Sequence, residues 1–287
     1  MIEPISRLSL PEFDLLIPRS LTEALGLLEI HQTNCKIIAG GTDLLIELRH
    51  RLIKPKILID IKSIPEMKKL ELTNEGLTIG AAVPISDILK LSELKNQFKS
   101  LYEALCEMCD EILRHRATVG GNISTASPAA DSAGPLLVHQ ALIEVHSKSD
   151  GKRIIPIKDF FTGVKRNNLK PNEVVVSIIL PKKSEEEKSA FKKMKRGAED
   201  LALVGVSALH SSLNTFLAYT AVATTPVLID ISEFFSNSNK INEEKFTRIW
   251  EKVKSKISPI SDVRSNKEYR LYITEILSRM VLKEVIL

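Results

Sequence analysis

Apolar and polar residues alternate along this chain in two rhythms, and the first clear one is helical. Ser20-Leu21-Thr22-Glu23 has the form of a capping box, and Leu21, Ala24, Leu25 and Leu28 continue as one apolar face. Short apolar runs over 36–38 and 56–60 read as strands, and Leu44, Leu45, Leu48 and Leu52 mark a helix over 43–52 between them. These pieces predict a small β-α-β-α-β lobe ending near Ile61. A hairpin follows: Leu70 and Leu72 alternate with polar residues, Asn74-Glu75-Gly76 turns, and Leu77 and Ile79 return. Helices are predicted over 85–91, with Ser86 as cap, and over 97–113, apolar at Leu101, Ala104, Leu105, Met108 and Leu113. A short helix over 135–139 precedes strands over 142–147 and 153–157, which flank a Ser149-Asp150-Gly151 turn. A β-branched strand over 174–180 ends at Pro181. The charged run over 181–188 is the sharpest break in composition and reads as a solvated boundary. Beyond it lie strands over 202–209 and 215–222, then helices over 242–256 and 266–285. The order predicts an α+β chain divided into 1–181, with lobes of about 1–61 and 62–181, and 182–287.

Composition narrows the function classes. The 287 residues suffice for two domains, and 26% charged with 44% apolar residues is ordinary for a globular protein. A net charge of +4 and only 5% aromatic residues leave no basic stripe for nucleic acid. Glu3, Pro4, Arg7, Pro11, Glu12 and Asp14 interrupt any signal-peptide core, and no run is long enough to span a bilayer. The chain reads as cytoplasmic. Cys35, Cys106 and Cys109 are too few for a disulfide framework or a four-cysteine cluster. Cys106 and Cys109 fall within the predicted 97–113 helix and read as buried structural thiols. The six histidines fall at no metal-ligand spacing, so no metal site is assigned.

Two glycine pairs carry the candidate chemistry. Lys36-Ile37-Ile38-Ala39-Gly40-Gly41-Thr42-Asp43-Leu44 is a strand running through glycines into a helix start, which gathers free amides and the positive end of the dipole. It is neither a Walker loop nor a G-x-G-x-x-G fingerprint. Thr118-Val119-Gly120-Gly121-Asn122-Ile123-Ser124-Thr125 continues through Ala126-Ser127-Pro128 to Asp131, a backbone-rich loop with neutral donors and one carboxylate. Such a surface suits a ligand with phosphate oxygens and sugar hydroxyls, and two such loops can clamp one pyrophosphate. The plainer reading is a polar connection. Arg114-His115-Arg116 lends positive potential to the loop or is solvated charge at a helix end; the residues allow both.

Taken as a pair, the two glycine stretches resemble those of the FAD-binding subunit, or medium chain, of the molybdenum hydroxylases, and the resemblance continues to the C-terminus. That family includes xanthine dehydrogenase, carbon monoxide dehydrogenase and related aldehyde and N-heterocycle oxidoreductases. The resemblance implies a two-lobed FAD-binding fold of the vanillyl-alcohol-oxidase/PCMH type, then a small α+β domain whose sheet is covered by helices on one side. It places the pyrophosphate on Ile37, Ile38, Ala39, Gly40, Gly41, Thr42, Asp43 and Leu44. The second loop would contribute Thr118, Gly120, Gly121, Asn122 and Thr125, with Asp131 facing the ribose and ribityl hydroxyls. Lys192, after Ala190-Phe191, matches a contact to the flavin ring edge or its charge, in a stretch crowded by Lys193 and Lys195. Val176 matches a flavin-lining position that a buried strand valine would also satisfy. Met108 stands where relatives can place an aromatic side chain against adenine.

The resemblance also implies a task. FAD would be held non-covalently, since neither loop contains a histidine or cysteine. Electrons would arrive from an iron–sulfur small subunit, supplied in turn by a large subunit carrying molybdopterin, and leave to NAD, a quinone or another acceptor. No Ser-His-Asp, paired-carboxylate or activated-cysteine constellation appears, in keeping with chemistry done elsewhere. Two other readings stand beside it. A stand-alone flavoenzyme like UDP-N-acetylenolpyruvoylglucosamine reductase would need an acid or serine donor at the flavin and an Arg/Tyr substrate cluster. A silent module that has lost its flavin would not need the glycines.

Overall fold

A computed structural model describes residues 9–182, 186–236 and 240–287. Three strands, β1 (Asp14–Leu16), β2 (Cys35–Ile38) and β3 (Ile57–Asp60), form a parallel sheet in the order β1-β3-β2. Parallel neighbours need crossovers, and α1 (Leu21–His31) and α2 (Leu44–Arg49) supply them. Ser20 caps α1 by accepting from the Glu23 amide at 3.2 Å, while the Glu23 carboxylate accepts from the Arg19 amide at 2.8 Å. The box therefore closes one residue before its usual place. α2 is shorter than the predicted 43–52, and Arg51 turns the chain at φ 57°.

The second lobe is an antiparallel sheet of β4 (Leu70–Thr73), β5 (Gly76–Gly80), β6 (Leu142–Ser147), β7 (Gly151–Pro156) and β10 (Val174–Pro181), ordered β4-β5-β10-β6-β7. Helices α3 (Ile85–Ile88), α4 (Leu94–Gln97), α5 (Lys99–Glu107), α6 (Glu111–Arg114), α7 (Val119–Thr125) and α8 (Ala133–Val138) connect its strands, with a small ribbon of β8 (Phe161–Gly163) and β9 (Arg166–Asn167). Two expectations are corrected here. The helix over 97–113 is broken: Met108 is extended and Cys109 sits at φ 43°. Asp110 starts a new helix by accepting from the Leu113 amide at 2.6 Å, which stops α5 from running on. Cys106 therefore lies on α5 and Cys109 outside it, both half-buried. Ser86 lies inside α3, whose N-cap is Pro84.

The third sheet is antiparallel, β11 (Lys188–Met194), β12 (Val204–His210), β13 (Thr215–Thr220) and β14 (Val227–Asp230), followed by α9 (Glu243–Lys254) and α10 (Lys267–Ile286). Residues 183–185 of the expected boundary run lie outside the described residues. Alternation divides β12 and β13 between two cores. Val204, Val206, Ala208, Leu217 and Tyr219 pack with Phe246, Ile249, Trp250, Leu277 and Val281 of α9 and α10. Leu209, Phe216 and Ala218 face the other way and join the core of the preceding lobe. Helices α9 and α10 cover one face as expected, and α8 closes the other. Gly134 permits that approach, since a Cβ there would lie 2.7 Å from Ser207 Oγ. Among the described residues no helix is long and apolar enough to cross a membrane.

Candidate cofactor site

β2 ends at Ile38, and the chain turns through Ala39, Gly40 and Gly41 into α2. Gly41 adopts φ +76°, open to glycine at no steric cost. A Cβ on Gly40 would strike the Arg116 carbonyl, so this turn lies directly against the segment that leads into α7. The amides of Gly40, Gly41, Thr42 and Asp43 find no protein acceptor among the described residues. Four successive free donors at a helix start form a concavity for an anion. Ile37, Ile38, Ala39, Thr42 and Leu44 surround the turn, all half-buried.

The stretch expected as a loop is helical over α7. Thr118 caps it, its hydroxyl accepting from the Gly121 amide at 2.9 Å, and the Gly120 amide is left without a protein acceptor among the described residues. The two glycines have different tasks. A Cβ on Gly120 would sit 2.7 Å from the backbone Cα and O of Ala81, so this glycine lets α7 pack on the end of β5. A Cβ on Gly121 would meet only Thr118 Oγ1, at 3.1 Å. Thr125 ties the two stretches together, its hydroxyl lying 3.1 Å from Asp43 Oδ2 and 3.1 Å from the Gly121 carbonyl. Asn122 Oδ1 accepts from the Ser132 hydroxyl at 2.6 Å, which holds the residue after Asp131 against α7.

Asp131 is buried between the second lobe and the C-terminal sheet. Its Oδ2 pairs with Lys193 Nζ at 2.8 Å, and Lys193 also donates to the Glu107 carbonyl at 2.7 Å. Its Oδ1 is enclosed and has no donor. Burial pushes the Asp131 carboxyl up, and the Lys193 ammonium opposes that rise. Lys192, expected at the flavin ring edge, extends from the other face of β11 to Glu284 (3.0 Å) and Glu103 (3.8 Å). Strand alternation explains the difference: Ser189, Phe191 and Lys193 share one face, Ala190, Lys192 and Met194 the other. Predicting β11 as a strand would have exposed that signal.

Two further positions were expected from the sequence. Met108 is buried where α5 ends, its carbonyl accepting from Arg114 Nε at 2.8 Å. Arg114 also reaches the carbonyls of Cys106 and Cys109, so its charge completes the end of α5. Val176 is buried at a bulge between Val175 and Ser177, and its carbonyl accepts from the amide of Ala81, the residue under Gly120. The structure thus links the first turn, α7, Asp131, Met108 and Val176 through their neighbours Arg116, Ser132, Lys193, Glu107 and Ala81. Lys192 stands apart from Asp131. The free amides suit a pyrophosphate, and the orphaned Asp131 oxygen calls for a hydroxyl donor such as a ribose or ribityl chain carries. The residues present fit FAD.

The chain is similar to known proteins over most of its length. Residues 11–183 match the FAD binding domain in molybdopterin dehydrogenase, and residues 189–285 match the CO dehydrogenase flavoprotein C-terminal domain. The chain is 30% identical over 276 residues to the xanthine dehydrogenase FAD-binding subunit of Escherichia coli O157:H7, covering 93% of this chain and 94% of that one. It is 32% identical over 280 residues to the glyceraldehyde dehydrogenase medium chain of Sulfolobus acidocaldarius, covering 96% and 99%. A chain of the carbon monoxide dehydrogenase from Hydrogenophaga pseudoflava superposes with a TM-score of 0.88 at 26% identity, over 96% of this chain and 97% of that one. The chain belongs to the family of FAD-binding domains of molybdopterin dehydrogenases, here joined to a CO dehydrogenase-type flavoprotein C-terminal domain.

Proposed function

We propose that the chain is the FAD-carrying electron-transfer subunit of a molybdenum hydroxylase complex. The observation that carries this reading is the packing of the Gly40 turn, whose amides over 40–43 are free, on the Arg116-Ala117 segment that leads into α7, together with a buried aspartate oxygen that lacks a donor. Bound FAD supplies the electron exchange between single-electron clusters and an external acceptor. The chain's own residues bind and orient it. Backbone amides take the pyrophosphate, Asp131 accepts from the sugar or ribityl hydroxyls, and Met108 and Val176 give apolar contact. The C-terminal sheet closes over Asp131 through Lys193 and keeps water away from that carboxylate.

Partners enter by likeness to a xanthine dehydrogenase FAD-binding subunit and a glyceraldehyde dehydrogenase medium chain. We assign this chain the same place, between an iron–sulfur small subunit and a molybdenum-cofactor large subunit, with NAD or a quinone-type molecule as acceptor. Its three cysteines fall short of the four that a cluster takes, which supports clusters held by another chain. A working division at 1–181 and 182–287 is supported by the separate apolar cluster between the third sheet and helices α9 and α10. The test is direct: acid precipitation of the purified chain should release all its yellow colour as free FAD. Colour kept in the pellet would contradict non-covalent binding, and a colourless chain that takes up no FAD would overturn the reading.

A further inference from the structure

Lys193 belongs to the C-terminal sheet, yet its ammonium is spent on the preceding lobe. Its side chain is 2% exposed and the Asp131 side chain 7%, so the pair is shielded from water on both sides. An isolated buried ammonium is costly, and one held by a carboxylate and a carbonyl is not. The anchoring carbonyl belongs to Glu107, where α5 ends just before Met108. Lys193 therefore ties three pieces together: strand β11, the α5 terminus and the segment carrying Asp131. It occupies Oδ2 of the carboxylate and leaves Oδ1 enclosed without a donor.

We infer that Lys193 is a positioning residue for the FAD site: its ammonium holds Asp131 as a carboxylate, with Oδ2 fixed and Oδ1 kept free for a cofactor hydroxyl. The inference rests on the FAD reading above and deepens it. Burial favours the neutral acid, which would replace one acceptor oxygen with a donor and so oppose a hydroxyl donor. Lys193 is the nearest opposing charge. The other groups facing Asp131 are Lys195, which lies just beyond β11 and pairs with Glu107 of α5, and Glu107 itself. Cys109 faces the pair from the turn after α5, and Arg114 faces Cys109 in turn. Removing Lys193 leaves Lys195 partly offset by Glu107, so burial should dominate and Asp131 should take up a proton at higher pH.

The test measures FAD dissociation constants by flavin fluorescence over the full pH range in which the chain stays folded. Full-length wild type, Lys193→Met, Lys193→Arg, Asp131→Asn and the double variant Lys193→Met/Asp131→Asn are compared, with circular dichroism to monitor folding. Lys193→Met should bind FAD roughly tenfold more weakly at neutral pH, its affinity rising with pH through a midpoint about one unit or more above the wild-type one. Lys193→Arg should restore the wild-type profile. In the Asp131→Asn background, removing Lys193 should cost no further affinity, because the lysine acts only through the carboxylate. That double-variant comparison decides the matter even if Lys193→Met alone fails to fold, since the double variant buries no unpaired charge. Additive losses in the double variant, or a wild-type pH profile in Lys193→Met, would overturn the inference. A wild-type chain that binds no FAD at any pH would instead overturn the FAD reading itself.

Discussion

A single carbon added at Gly40 would collide with the Arg116 carbonyl and come within 3.0 Å of Ala117 Cα, both backbone atoms that have little room to move. Gly40→Ala should therefore push the turn away from the segment that leads into α7. Overpacking of this kind typically costs about 1–3 kcal/mol, and the variant should melt lower and retain little FAD. Wild-type flavin content in Gly40→Ala would show that the two turns need not touch. Gly121 is a different case, because a Cβ there meets only Thr118 Oγ1. Gly121→Val should keep a cooperative thermal transition yet lose FAD, as its branches crowd the helix start proposed above for the ligand. Full flavin occupancy in that variant would remove Gly121 from the site. Both glycine pairs were legible in the sequence because few other residue types permit so close a backbone approach. Which glycine serves packing was not legible, since that depends on Ala81 from a distant strand. The Lys193–Asp131 pair was hidden for a similar reason: β11 carries charge on both faces, which masks its alternation.

Elements were legible where period and punctuation agreed. β6 follows the predicted 142–147, and β10 the predicted 174–180 to within a residue, both β-branched or alternating and ended by turn residues. β1 and β14 span three and four residues, too short to set a period of their own. The helix over 97–113 failed because a local cap at Asp110 outcompetes apolar periodicity. α10 was read as a long helix, but its anchor was not. Arg270 is wholly buried, donating to the carbonyls of Leu203 and Ala221 and to Asp262 Oδ1 at 2.9 Å. Burial pushes the Asp262 carboxyl up, but Arg264, Arg270 and the amides of Arg264 and Ser265 outweigh it and hold the carboxyl well below the usual range. A group depressed in the folded state adds stability above its unfolded value, about 3.9 for aspartate, and loses it as pH falls through that value toward the folded one. The stability margin of wild type over Asp262→Asn should therefore be constant near neutrality and close on acidification toward about pH 2. Urea denaturation at several pH values measures it, and a margin that stayed flat or widened in acid would discard this anchor.

At the scale of the whole molecule, the third sheet serves two cores at once, one beneath α9 and α10 and one shared with the preceding lobe. The proposed cofactor site reaches that shared seam at Asp131, which Lys193 faces from the third sheet. Hydroxylation at molybdenum needs a pterin-bound metal, and delivery of its electrons needs clusters held by cysteine sets. Cys35, Cys106 and Cys109 cannot complete one four-cysteine set. The FAD-loaded chain alone should therefore oxidise no aldehyde, purine or other N-heterocycle, whatever artificial acceptor is added. Activity should appear only when a two-cluster iron–sulfur subunit and a molybdenum subunit are restored. Direct donors such as NADH are assayed separately, because they can reach a flavin without the relay. The decisive measurement is anaerobic mixing of the purified, FAD-loaded chain with candidate substrates while flavin absorbance is followed. Unchanged absorbance with the chain alone, and bleaching once both partners are added, is the outcome expected of a subunit. Bleaching by an aldehyde or purine without partners would sink that reading and favour a flavoenzyme that acts alone.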